Sequence, residues 1–130
     1  MFQQDGILNK DLRELIRVRI ATSLNCNYWS KQESARSVHD KEHRYSELSN
    51  IENSDKYTER EKVAVAYTDA IVWNPELADD SLWAKLHANF SEPEIVELGY
   101  WAGFTSGGQR WLHTLHTNQG ELQNAIEKNQ

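Results

Sequence analysis

The sequence contains one cysteine, Cys26, and this residue is the obvious candidate nucleophile. Cys26 follows one predicted helix and precedes the start of the next, near Asn27, where the helix dipole and free backbone N–H groups favour a thiolate. Because there is no second cysteine, an internal dithiol/disulfide cycle is excluded. The alternative is that Cys26 is a small buried apolar residue, since free cysteines are among the most often buried residue types.

A carboxylate, Glu14, lies about three helical turns before Cys26 on the same helical face. That face also carries the apolar stripe of the helix, so a charged group there needs an explanation. Without a functional role, Glu14 would be a solvated residue at the edge of this face or an ion-pair partner of Arg13 or Arg17 on the same helix.

The histidines do not predict a metal site. His113 and His116 are spaced i to i+3 and share a helical face, but two ligands are too few for a closed site. His39 and His43 lie in a polar stretch and are expected to be solvated helix residues. We therefore predict no metal and no cofactor.

Apolar residues recur at helical spacing along the chain, whereas strict alternation is absent, so the sequence predicts an all-α fold in a single domain over residues 1–130. The predicted helices begin after Asn9, near Asn27, after Thr58, before Leu82 and after Ser91. Thr58 and Ser91 each have a glutamate three residues on, which is the pattern of a capping box. The first helix is expected to end near Asn25, and the third before Pro75.

The fifth predicted helix is rich in both aromatic residues and glycines. Its glycines would each cost up to about 1 kcal/mol relative to alanine in a helix interior. They therefore predict either the close approach of another backbone or a break near Gly107. Together with the aromatic residues around Tyr100 and Phe104, they make this helix the predicted contact surface between subunits.

The formal net charge of -6 repels phosphate backbones and anionic membrane surfaces, so neither nucleic acid nor a membrane is a predicted partner. No apolar run approaches the roughly 20 residues of a membrane span, and the polar start does not resemble a signal peptide. A single cysteine fits a reducing compartment. We expect a cytoplasmic protein.

Three segments, in this order, carry a resemblance to a known family: LRELIRVRIATSLNCNYWSKQESA, YTEREKVAVAYTDAI and FSEPEIVELGYWAGFTSGGQRW. They resemble the carboxymuconolactone decarboxylase and alkylhydroperoxidase D family, whose signature helix leads into a C-x-x-C-x-x-x-H-x-x-x-A motif. The resemblance covers a core of about residues 8–116. It implies an alkylhydroperoxidase D-like helical domain whose protomers pack into a homo-oligomer, a trimer or hexamer.

The resemblance also assigns the site residues. The relay glutamate of the family corresponds to Glu14 and the first cysteine to Cys26, whereas Trp29 replaces the second cysteine and Glu33 replaces the relay histidine. Dithiol peroxidase activity is therefore not expected. Tyr28 and Trp29 flank the site and are the candidate substrate-binding residues, although both could instead pack in the core or between subunits.

Three functions remain open. The first is a single-cysteine peroxide or thiol oxidoreductase in which an external thiol reduces the sulfenic acid of Cys26. The second is a cofactor-free lyase or isomerase acting on a small carboxylate or lactone through Glu14 and Glu33, with Arg17, Arg19 or Arg110 holding the substrate anion. The third is a non-catalytic oligomeric binding protein that has kept the fold and lost the relay.

Overall fold

The computed structural model describes residues 7–23 and 45–115. All regular structure in these two stretches is helical, so the prediction of an all-α fold is confirmed for them. The four α-helices are α1 (Lys10–Ser23), α2 (Glu59–Trp73), α3 (Asp80–Asn89) and α4 (Glu92–His113).

Each α-helix begins at a polar capping residue. The side chain of Asn9 accepts a hydrogen bond from the backbone N–H of Leu12 at 2.7 Å. Thr58 and Ser91 form the predicted capping boxes, in which the cap and the glutamate three residues on bond to each other's backbone. Asp79 caps α3 by accepting from the backbone N–H of Leu82. The starts of these helices are therefore determined by local sequence.

Short 3₁₀ segments lie on either side of α2. Leu48–Asn53 precedes it and turns two side chains, Leu48 and Ile51, into the core. Pro75–Leu77 follows it, directly after the C-cap residue Asn74. Because proline cannot continue the hydrogen-bonding pattern of the helix, α2 stops before Pro75 as predicted.

The predicted break near Gly107 is wrong, because α4 continues without interruption to His113. One flank of α4 is buried on both sides of this glycine, including Trp101, Ala102 and Gln109. Burial of that flank against α1 and α2 offsets the cost of about 1 kcal/mol for each glycine. The helix propensity of glycine alone therefore gave a wrong prediction for this segment.

Helices α1 and α4 lie parallel, as the order of the contacts between them shows. The backbone N–H of Leu8, just before α1, donates to Glu97, and the Trp101 indole N–H donates to the carbonyl of Arg13. Later residues of α1 meet later residues of α4 in the same order, down to Gln109. Helix α2 packs against both of these helices and against α3.

The core lies between these helices and is built from the apolar stripe of each one. Most of the apolar residues at helical spacing are buried, including Leu15 of α1, Val63 of α2 and Leu86 of α3, whereas Ala66 and Trp83 are exposed. The largest fully buried apolar side chains are Leu8, Leu15, Ile16, Ile20, Val65, Leu86 and Leu98.

No helix in residues 7–23 and 45–115 is long and apolar enough to cross a membrane. The end of the first predicted helix near Asn25 and the predicted helix from Asn27 lie outside the described residues.

Candidate functional site

Glu14, the predicted proton-transfer residue, is held by an arginine one turn further along α1. Arg17 donates from Nη2 to Glu14 Oε1 at 2.8 Å and from Nε to Oε2 at 3.1 Å. Both side chains are largely shielded, with 11% of Arg17 and 28% of Glu14 exposed. A two-point contact between a guanidinium and a carboxylate fixes the orientation of both groups.

This geometry resolves the two hypotheses about Glu14 in part. The spacing i to i+3 places both side chains on one side of the helix, and the predicted ion pair with Arg17 is confirmed. The carboxylate therefore does not lie unpaired on the apolar face. Whether it also transfers a proton remains a proposal, because Cys26 lies outside the described residues.

The other predicted site residues, like Cys26, lie outside the described residues. Glu33, Tyr28 and Trp29 all lie between residues 23 and 45, outside the described residues, as does His116. Of the predicted catalytic and substrate-binding residues, the structure therefore places Glu14. In the described part of the chain, no three histidine, cysteine or acidic side chains are grouped so that they could hold a metal ion.

Arg17 is also fixed to the neighbouring helix. Its backbone carbonyl accepts from Gln109 Nε2 of α4 at 3.4 Å. Gln109 is buried, and its Oε1 receives no hydrogen bond from any residue in 7–23 or 45–115. The backbone of Arg17 is thus part of the contact between α1 and α4, a feature that no local sequence pattern indicated.

A second arginine of α1, Arg19, is bound to α2 and to the first 3₁₀ segment. Its Nε and Nη2 donate to the two carboxylate oxygens of Asp69 at 3.1 and 2.8 Å, and its Nη1 donates to the carbonyl of Leu48 at 2.9 Å. Arg17 and Arg19 were the candidate anion holders for a lyase. Both already bind a carboxylate within the protein.

The third candidate anion holder, Arg110, lies near the end of α4. Its guanidinium carbon is 5.7 Å from the ring centre of Trp73, a side chain that is 54% exposed. This contact is an exposed cation–π interaction.

A cavity of about 200 Å³ lies beside the Arg19–Asp69 pair, between α2 and the first 3₁₀ segment. Its charged lining is balanced, because Arg19 and Lys62 face Glu52 and Asp69. This balance gives no preference for an anion or a cation. The remaining lining residues are Ser49, Asn50, Ile51, Val65 and Ala66. No motif in the sequence indicated this cavity, and Glu14 does not line it.

Comparison with known proteins adds two findings. No family model matches the chain. Two proteins of Mycobacterium tuberculosis, one from strain CDC 1551 and one from strain H37Rv and both described as uncharacterized, are each 30% identical to this chain over 89 residues. The match covers 67% of this chain but 31% of each relative, so the chain spans about a third of the length of the curated relatives it matches.

Proposed function

We propose that the protein is a homo-oligomeric, alkylhydroperoxidase D-like single-cysteine peroxide oxidoreductase that acts in the cytoplasm. The resemblance in three ordered segments supports the family, and each segment overlaps most of one helix of the structure, namely α1, α2 or α4. The observation that carries the proposal is the fixed carboxylate of Glu14. It is largely shielded, on the helix that precedes Cys26 in the sequence.

The reaction uses one thiolate and an external reductant. The Cys26 thiolate attacks one oxygen of a hydroperoxide, so an S–O bond forms, the O–O bond breaks and an alcohol or water leaves with a proton. A small thiol then attacks the sulfenic acid, which releases water and forms a mixed disulfide. A second small thiol releases Cys26 and leaves as a disulfide. Two electrons pass from the thiols to the peroxide.

In this reaction Glu14 is the acid/base group, as the resemblance implies. Arg17 sets its orientation through two hydrogen bonds and therefore acts as a positioning residue. Tyr28 and Trp29 bind the small-molecule substrate. Glu33, which replaces the family's histidine, is the second acid/base candidate.

A second candidate is a non-catalytic oligomeric binding protein, and the Arg17–Glu14 pair itself favours it. A carboxylate that is bound at both oxygens by a largely buried arginine can be purely structural. The lyase hypothesis gains no such support, because Arg17 and Arg19 already bind carboxylates of the protein.

The test is the reactivity of Cys26 with a thiol-specific probe across pH, before and after treatment with peroxide. We expect a thiol pKa below the ordinary value of about 8.5. We also expect that peroxide protects Cys26 from the probe and that a small thiol reverses this protection. A thiol that stays inert until the protein unfolds would contradict the proposal. The non-catalytic binding protein would then be the remaining candidate.

Two variants make the result specific. Glu14→Gln keeps the shape of the side chain and should slow the oxidation of Cys26 by peroxide. Glu97→Gln is the matched control, since Glu97 is a buried glutamate on α4 that accepts from the backbone of Leu8. Equal oxidation rates in the two variants would show that Glu14 has no chemical role.

A further inference from the structure

One face of α4 is strongly apolar and exposed. The exposed fraction is 62% for Val96, 68% for Tyr100, 71% for Phe104 and 59% for Trp111. At about 100° per residue, these four side chains lie within a narrow arc of the helix. The opposite side of α4 is buried against α1 and α2. Exposed large apolar side chains grouped on one helical face mark an interaction surface.

A row of glycines runs beside these large side chains. Gly99, Gly103 and Gly107 are spaced four residues apart. A Cβ added to Gly99 would lie 3.5 Å from the Tyr67 hydroxyl, so this glycine is explained by packing within the protein. A Cβ added to Gly103 or Gly107 would meet no atom within 4 Å among the described residues. Packing within these parts of the chain therefore does not explain Gly103 and Gly107.

The two rows together form a ridge and a groove. Val96, Tyr100 and Phe104 are also four residues apart, so they make a ridge along the helix next to the groove above Gly103 and Gly107. When two helices pack with such i±4 rows interdigitated, they cross at about -50°, which is the commonest arrangement in globular proteins. The face thus carries both halves of a complementary contact.

The charges on α4 indicate the direction of the pairing. The first turn contains Glu92 and Glu94, and the last turn contains Arg110 and His113. No charged residue lies on the exposed face between Val96 and Gly107. An antiparallel pair places the acidic end of one copy toward the basic end of the other, whereas a parallel pair places like charges together. The helix dipoles also favour the antiparallel pair.

We infer that α4 packs against α4 of a second copy of this chain, antiparallel and around a two-fold axis that passes between Gly103 and Phe104. Phe104 of each copy lies on Gly103 of the second copy, and Tyr100 lies on its Gly107. This inference rests on the homo-oligomeric state proposed above and names the surface that forms it. It is compatible with a dimer or a hexamer and excludes a simple trimer.

The first experiment measures the mass of the assembly in solution by light scattering across a dilution series. The wild-type mass should be an even multiple of the chain mass of 15.1 kDa. Gly107→Leu should halve it, because the added side chain fills the groove. The same change raises helix propensity by about 1 kcal/mol, so unfolding of the protomer is not expected.

Ala88→Leu is the control for an added exposed leucine side chain. Ala88 is exposed on α3 and does not belong to the exposed face of α4. This variant should keep the wild-type mass. A mass that Gly107→Leu leaves unchanged would overturn the inference. A wild-type mass equal to an odd number of chains, three or more, would also overturn the inference but would leave the proposed homo-oligomer standing. A wild-type mass equal to one chain would overturn both the inference and the homo-oligomer.

Disulfide trapping tests the orientation in a Cys26→Ser background with copper phenanthroline as oxidant. Phe104→Cys should give a covalent dimer, because the two copies of this position meet near the axis. Tyr100→Cys should give none, because its two copies are about 10 Å apart along the helices, beyond the reach of a disulfide. Cross-linking of both variants would indicate a parallel pair, and cross-linking of neither would indicate that a different molecule covers α4.

Discussion

Helices α1 and α4 lie side by side, yet their polar and apolar side chains are used differently. The arginines of α1 turn inward to partners on the protein itself, such as Arg19 with Asp69. On α4 the aromatic residues Tyr100, Phe104 and Trp111 are exposed. The difference indicates that α1 completes the interior of the protomer and positions the candidate site, whereas α4 provides the surface for a second copy.

The largest expected effect comes from a comparison of apolar truncations on the two helices. Leu15 of α1 is 0% exposed and Phe104 of α4 is 71% exposed. Leu15→Ala should lower the free energy of unfolding by about 3 kcal/mol, because it leaves a cavity in the core. Phe104→Ala should lower it by less than about 0.5 kcal/mol.

Denaturant unfolding measures this difference, at a dilution where light scattering shows a single chain. Similar losses for the two variants would mean that the outer face of α4 packs within the protomer. The assignment of α1 to the protomer interior and of the exposed face of α4 to a second copy would then be contradicted.

A smaller effect is expected for the arginines. Arg19→Ala removes three hydrogen bonds, two of them to Asp69, and should lower the free energy of unfolding by about 2 kcal/mol. Arg110→Ala removes an exposed cation–π contact with Trp73 and should cost about 0.5 kcal/mol. Chemical denaturation of both variants gives the two values, and an equal cost would remove this distinction between α1 and α4.

Two tryptophans on α4 sharpen the comparison on a single helix. Trp101 is buried and donates its indole N–H to the carbonyl of Arg13 at 2.8 Å, whereas Trp111 is 59% exposed. Trp101→Phe should cost about 1 kcal/mol or more, because the carbonyl loses a donor and the core loses volume. Trp111→Phe should leave the unfolding midpoint of the protomer unchanged. A larger effect at Trp111 would contradict the assignment of the two faces.

The smallest expected effect is a pH dependence at the start of α4. The backbone N–H of Ser91, together with the Arg60 guanidinium, lowers the pKa of Glu94 from its ordinary value. A lowered pKa in the folded state adds stability that is present above the unfolded pKa of about 4.3 and is lost as the pH falls below it. Glu94→Gln should reduce this loss of stability between neutral and acidic pH. Identical acid unfolding curves for wild type and variant would contradict it.

The local features of the fold were predictable because neighbouring residues determine them. The capping boxes at Thr58 and Ser91 each need only a glutamate three residues away. The end of α2 before Pro75 needs no partner residue, because proline itself cannot continue the helix. The Glu14–Arg17 pair is equally local, although the sequence left it as one of two hypotheses.

Long-range features were not predictable from the sequence. The Arg19–Asp69 pair joins residues that are 50 positions apart, and only the packing of α1 on α2 brings them together. The continuity of α4 at Gly107 also depends on packing, since the buried flank of the helix outweighs glycine propensity. Hydrophobic pattern and helix propensity describe one segment at a time, whereas these features depend on the helices packed against that segment.

The most direct test of the proposed function is the turnover of an organic hydroperoxide in the presence of a small thiol, followed as consumption of the peroxide. Wild type should consume peroxide catalytically, and Cys26→Ser should fall to the background rate while it keeps the wild-type mass and unfolding midpoint. Glu14→Gln should fall between the two. Consumption by Cys26→Ser at the wild-type rate, or background consumption by the wild type, would contradict the single-cysteine peroxide oxidoreductase.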